Sequence, residues 1–282
     1  MANLPEQLWH QAMPQFPLSA LVPLAGASAN QLYLVDAGLR QWVLRLHGND
    51  NQFAVNRDHE RRCWQACAQA NLAPPLHYWS MDNRFCISEF CGIEPPQLQP
   101  EPLAQLLQRL HQLDGIGAAI DYQQEILGYL QGVDHTALAP YLAQLPHWLS
   151  LLHRSQLALT WCHRDLHRGN IRQCDGRYLV LDFEYAAYAH PLFDLAQAQA
   201  QLPAAQQASL VQRYYQLRQQ PFDLDEQQAL HSASAIWQLT NAAWALRMLQ
   251  QANHNNSDPL QHTDTALVQN WYRTAVDWLN LN

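Results

Sequence analysis

The chain has 282 residues, 48% of them apolar, 14% charged and 10% aromatic, with a formal net charge of −8. That is enough apolar chain to bury a core in one large domain or two lobes, and it excludes a disordered polymer. All 16 basic residues are arginine, so a phosphate-loop lysine, a Schiff-base lysine and a lysine general base are ruled out. Any cation that grips phosphate is therefore an arginine or a metal ion. The lack of a long basic cluster argues against nucleic acid as a partner.

The first arginine is Arg40, so no basic segment opens a secretory signal. The longest apolar stretch, around residues 18–29, contains Pro23 and is too short to span a bilayer. With a core of this size the six cysteines are not needed as disulfides, and the expectation is a reduced, cytoplasmic protein without a membrane partner.

Residues 31–36 and 41–46 predict two strands joined at Ala37-Gly38. Residues 51–71 predict a helix that buries Phe53, Cys63, Trp64 and Cys67 and stops at Ala73-Pro74-Pro75. Strands over 76–80 and 85–90 flank the turn Met81-Asp82-Asn83-Arg84. Cys91-Gly92-Ile93-Glu94-Pro95-Pro96 then reads as a linker into helical patterns near 101–113, 121–131 and 138–153. A strand over 157–162 and a hairpin of 171–174 and 178–182, turned at Asp175-Gly176, precede helices from Pro191 to the end. The pattern is a small β-rich lobe followed by a larger helical lobe with a short β insert.

The strongest signal is His163-Arg164-Asp165-Leu166-His167-Arg168-Gly169-Asn170, with Asp182-Phe183-Glu184 twelve residues further on. Phosphoryl transfer from ATP needs one carboxylate to orient the attacking hydroxyl and accept its proton, and another to hold Mg²⁺ against phosphate oxygens. Asp165 fits the first role and Asp182 the second. Asn170, five residues after Asp165, can reach back to a metal. The same tripeptides occur as ordinary polar loops, but their order, spacing and intervening hairpin are harder to obtain together.

Residues 163–196 resemble the choline/ethanolamine kinase and aminoglycoside phosphotransferase superfamily, which is related to protein kinases. Asp182-Phe183-Glu184-Tyr185-Ala186-Ala187-Tyr188 with Phe193-Asp194 looks most like choline kinases, and bacterial thiamine kinases are close behind. Elsewhere the resemblance is weak. It implies an α+β, two-lobe protein-kinase-like fold, with a small antiparallel-sheet nucleotide lobe over 1–91 and a mainly helical catalytic and acceptor lobe over 92–282. ATP and Mg²⁺ would sit between the lobes, with Asp165, Asn170 and Asp182 catalytic and the last two on the metal.

Gly26-Ala27-Ser28-Ala29-Asn30 resembles the loop that covers the phosphates, contributing Ser28 and Asn30. Arg45 stands where the family usually has its phosphate-pairing lysine, a workable exchange because a guanidinium grips phosphate bidentately. Glu60 matches the helix glutamate that pairs with that cation, and Glu89-Phe90-Cys91 the hinge whose backbone reads adenine. The bland alternatives are a small-residue loop, a snorkelling arginine and a solvated helix face.

Cys162, His163 and His167 could suggest zinc, but the loop signal Gly169-Asn170 and the missing glutamate of a zinc helix motif argue against it. Trp237 and Trp244, seven apart on one helix face, read either as core or as an acceptor site. In the second case Glu184, Tyr185, Tyr188, Trp237 and Trp244 would recognise a small cationic alcohol such as choline, ethanolamine or thiamine. An aminoglycoside or amino-sugar kinase and a catalytically silent kinase-like binding module are the competing readings. Few acids after Pro203 disfavour a polycation, and the intact Asp165 and Asp182 disfavour silence.

Overall fold

The computed structural model describes residues 4–24, 30–48, 55–113, 117–254 and 265–282. Helix α1 (Leu4–Ala12) leads into a five-stranded antiparallel sheet ordered β1 (Leu18–Leu24), β2 (Gln31–Ala37), β3 (Arg40–Leu46), β5 (Phe85–Glu89) and β4 (Leu76–Trp79). Trp9 of α1 is wholly buried against Trp42, Val35, Leu44 and Ile87, which close a small core on one sheet face. The β2–β3 turn needs Gly38, whose φ is 64°.

Strand β1 escaped the sequence reading for a physical reason. It is an edge strand, none of its seven residues is fully buried, and it carries Pro23, which an edge tolerates. It precedes Gly26-Ala27-Ser28-Ala29-Asn30, of which only Asn30 is among the described residues.

Helix α2 (Arg57–Gln69) follows β3 and starts at Asn56, whose side chain accepts the His59 N–H. The start is later than the sequence reading of residue 51, and Phe53 lies outside the described residues. Cys63, Trp64 and Cys67 are buried as their spacing required, but their partners belong to the larger core of the helical lobe. Helix α2 therefore packs with both halves.

The chain then forms α3 (Pro100–Leu110), α4 (Tyr122–Leu130), α5 (Ala139–Leu152), β6 (Thr160–Cys162), the β7 (Ile171–Cys174) and β8 (Arg177–Val180) hairpin, and β9 (Ala187–Ala189). Asp175 and Gly176, with φ of 49° and 75°, make the hairpin turn. The strand expected over 157–162 shrinks to its last three residues, held by β9, too short to be read beforehand. Helices α6 (Pro191–Ala200), α7 (Ala204–Arg218), α8 (Leu224–His254) and α9 (Thr265–Leu281) complete the lobe, with α8 packed on α4, α5, α6 and α9. No helix among the described residues is long and apolar enough to cross a membrane.

Candidate active site

Strand β6 delivers residues 163–165 to a loop that is fixed from behind. The wholly buried Asp194 carboxylate of α6 accepts the His163 and Arg164 N–H groups, each at 2.8 Å, and pairs with His111 at 3.2 Å. Gln197, one turn on, accepts the Leu166 N–H at 2.8 Å and donates to the Arg164 carbonyl at 2.7 Å. Burial works against the Asp194 charge, but His111 and the backbone donors hold its carboxyl below the usual carboxylate range. The clamp also holds Arg164 at a φ of 67°, a conformation that costs a non-glycine residue about 1–3 kcal/mol.

Asp165 follows. Asn170 donates its Nδ2 to the Asp165 carbonyl and Oδ2, at 3.0 and 2.8 Å. The β7–β8 hairpin returns the chain to Asp182, which also has a left-handed φ, 64°, and whose Oδ1 lies 3.4 Å from Arg45 Nη1. Burial raises the carboxyl pKa of both aspartates, and His167 pulls Asp165 back while Arg45 pulls Asp182 back.

Arg45 reaches the site from β3, 5% exposed, with its guanidinium 5.3 Å over the Trp64 ring. Its Nη2 donates to Glu60 Oε1, and Arg57 Nη1 donates to the other oxygen of Glu60 at 2.7 Å. Burial pushes the Glu60 carboxyl up, but the two guanidinium groups outweigh it and hold the acid ionised. Glu184 lies 3.7 Å from Arg57, and burial, with Asp182 and Glu60 nearby, pushes its carboxyl up to about 8.

Arg45, Asp165, Asn170 and Asp182 line one cleft of about 900 Å³. Leu32, Val43 and Phe90 line it from the five-stranded sheet, Leu181 and Tyr185 from the segment between β8 and β9, and Glu125, Tyr129, Trp237 and Trp244 from α4 and α8. The hinge between them is drawn tight. Gly92 has a φ of 64°, and a Cβ there would sit 1.9 Å from the Gln173 carbonyl oxygen, so only glycine lets the hinge lie on the hairpin.

A sequence model of the phosphotransferase enzyme family matches residues 20–230. The chain belongs to that family.

This phosphotransferase is similar in structure to choline kinase LicA from Streptococcus pneumoniae, with 16% identity, all of both chains covered and a TM-score of 0.77. It is similar to a choline/ethanolamine kinase family protein from Mesorhizobium loti, with 19% identity, 94% and 93% coverage and a TM-score of 0.68. A thermostable mutant of aminoglycoside phosphotransferase APH(4)-Ia, in a ternary complex with AMP-PNP and hygromycin B, matches at 17% identity, 98% coverage of both chains and a TM-score of 0.65. At such identities the likeness shows a shared kinase-like fold. No curated protein matches the sequence.

Most of the residues singled out in the phosphotransferase sequence meet at the cleft: Asn30, Arg45, Glu89, Phe90, Asp165, Asn170, Asp182, Glu184, Tyr185, Trp237 and Trp244 all line it. Glu60 stands behind Arg45 instead, fully buried rather than on a solvated face. Ser28 lies outside the described residues. Asn30 braces the mouth, its Oδ1 accepting the Gly48 N–H at 3.2 Å.

Two expectations need correction. The Glu89 and Phe90 N–H groups donate to the Pro75 and Gln41 carbonyls, and the Glu89 carboxylate turns away to Arg40 and His77. The sheet thus uses two of the backbone donors in the Glu89-Phe90-Cys91 segment expected to read a base. Tyr188 is not on the cleft: it lies in β9 opposite Trp161, and that unpredicted strand carries it away from Tyr185.

Glu125 and Tyr129 were missed. They are four residues apart on one face of α4, a visible signal. That this face meets the cleft beside α8 was not visible. Arg57, too, went unremarked as the second partner of Glu60.

Proposed function

We propose that this phosphotransferase is an ATP- and Mg²⁺-dependent kinase that transfers the γ-phosphate to a hydroxyl of a small cationic metabolite, with choline, ethanolamine or thiamine as leading acceptors. The observation that carries the proposal is the pairing of Asp165 with Asn170 in the same cleft as Asp182 and Arg45. The AMP-PNP held by the aminoglycoside phosphotransferase supports a nucleotide ligand.

In this reading residues 1–91 form the nucleotide lobe and 92–282 the catalytic and acceptor lobe. Asp165 has one carboxylate oxygen tied to Asn170, which leaves the other to orient the acceptor hydroxyl and take its proton. Arg45, set by Glu60, grips phosphate. The base rests on Val43, Leu32 and Phe90 and takes its hydrogen bonds from the hinge backbone beyond Phe90.

Asp182 and the Asn170 side-chain oxygen offer the hard oxygen ligands that suit Mg²⁺. Asp165 and Asp182 are half-buried with carboxyls raised above their ordinary range, a site short of positive charge, and this fits a divalent cation. When bound, the ion neutralises charge on the phosphate oxygens.

Of the two acids on the acceptor side, Glu125 is matched by Arg164, and Glu184, its carboxyl pushed up to about 8, is mostly protonated at neutral pH. What remains to meet an acceptor is largely ring surface from Tyr185, Trp237 and Trp244. That favours a small cation held by aromatic faces over a polyamine that needs several bare carboxylates. The test is ADP release by purified protein with ATP and Mg²⁺ against choline, ethanolamine, thiamine, homoserine, amino sugars and aminoglycosides. Turnover with a small cationic alcohol is expected. Turnover with aminoglycosides alone would overturn the acceptor class, and nucleotide binding without turnover would leave a binding module.

A further inference from the structure

Arg57 is placed against every local preference. It is the first residue of α2, where the helix dipole disfavours a cation. It precedes Glu60 at i,i+3, the weaker order for such a pair. Its side chain is only 4% exposed, and burying a guanidinium costs several kcal/mol unless partners compensate. A tertiary role must hold it there.

Its partners show that role. Arg57 Nη1 is 2.7 Å from Glu60 Oε2 and 3.7 Å from Glu184 Oε2, while the other oxygen of Glu60 holds Arg45. Arg45 in turn lies 3.4 Å from Asp182, two residues before Glu184. The five side chains close a ring from Arg57 through Glu60, Arg45, Asp182 and the short backbone link to Glu184. A carboxylate with one partner can pivot; Glu60, gripped on both oxygens, cannot. His59 adds a second tie between the same helix and segment, its Nε2 lying 2.7 Å from the Ala186 carbonyl oxygen.

We infer that Arg57 is a positioning residue for nucleotide binding: by fixing the far oxygen of Glu60 it sets Arg45 on the phosphates, while His59 of the same helix ties it to the segment that follows Asp182. The inference rests on the kinase reading above. The lysine-free sequence gives it added weight, because the guanidinium at position 45 can grip phosphate bidentately only when its planar fork is turned the right way.

The experiment is titration of ATP with Mg²⁺ into the full chain, beside melting curves, for wild type, Arg57→Lys, Arg57→Met, Glu60→Gln and the Arg57→Met/Glu60→Gln double variant. Binding is measured well below every melting midpoint. Arg57→Met should weaken ATP binding about tenfold, and Arg57→Lys, which keeps the charge but not the fork, should lose only a few-fold. The double variant should bind no more weakly than Glu60→Gln alone, because both changes act through one pair. Should Arg57→Met prove too unstable to titrate, Arg57→Lys and its double variant with Glu60→Gln give the same comparison.

Lower melting with wild-type ATP affinity would make Arg57 merely structural and overturn the inference. Multiplied losses in the double variant would overturn the route through Glu60. Failure of wild type to bind any nucleotide would instead sink the kinase reading, and this inference with it.

Discussion

Asn170 holds Asp165 through a single amide nitrogen, which donates to both its carbonyl and its carboxylate. The aspartate is thereby fixed in rotamer, with one oxygen turned over to the cleft. Asp165→Asn should leave ATP binding nearly intact while lowering kcat by about 10²–10⁴, the usual contribution of a general base. ATP titration beside steady-state kinetics checks this. Weakened ATP binding with unchanged kcat would contradict the assignment.

Asp182→Asn should abolish turnover, because an anionic ligand is lost where charge develops on the phosphate. Folding should survive. Burial holds the Asp182 carboxyl above its ordinary range, so its charge is a burden on the folded state that a neutral amide lifts. A variant that melts like wild type and keeps more than about a tenth of kcat, a loss under ~1.4 kcal/mol, would remove Asp182 from the metal.

How much of this was legible follows from where each signal lives. Asp165, Asn170 and Asp182 lie within one loop and hairpin, so their meeting is written in spacing. The Arg45–Glu60 pair needed only a strand and the next helix. By contrast, the fate of Tyr188 depended on β9, three residues long and held by partners 25–29 positions away. Glu125 matters only because α4 lies beside α8, a packing choice that no local pattern encodes. Trp237 and Trp244 resisted an either/or reading because the structure makes them both: each packs on a buried cluster and each lines the cleft.

Arg45→Ala should weaken ATP use by at least tenfold. Arg40 cannot replace it, since the odd offset along β3 turns Arg40 to solvent, where it pairs with Glu89. Removing one member of a buried ion pair costs about 3–5 kcal/mol. Arg57 still neutralises Glu60, so the stability loss should fall at the low end of that range. Unchanged ATP kinetics in a folded variant would move the phosphate grip elsewhere.

Asp194 gives a pH dependence whose sign can be worked out. Its folded carboxyl is held below the unfolded value, so its contribution to stability is fully present above the unfolded pKa of about 4. That contribution is lost as pH falls through the lowered folded value. Wild type should therefore lose stability between pH 5 and 3 more steeply than Asp194→Asn, which lacks the titrating group. At neutral pH the same variant should be less stable by about 1–3 kcal/mol for each buried backbone donor left facing an amide N–H. Denaturant midpoints across that range check both, and parallel pH curves would refute the linkage.

The acceptor side carries the last prediction. A quaternary ammonium offers no N–H donor, so ring faces must supply its recognition, each at about 0.5–2 kcal/mol. Trp237 and Trp244 stand one above the other on α8, and Trp244 is backed by Trp271 at 5.7 Å between ring centroids. Trp237→Leu or Trp244→Leu should raise the acceptor KM several-fold while the ATP KM moves little, since the base rests on the sheet side. Some stability should be lost as well, because both rings also pack on buried neighbours. The two effects separate cleanly: core damage lowers the melting point without choosing between substrates, whereas a lost ring face acts on the acceptor alone. Leucine variants that melt early yet keep the wild-type acceptor KM would confine the tryptophans to packing, and recognition would then fall to Tyr185 and Tyr129, which also line the cleft.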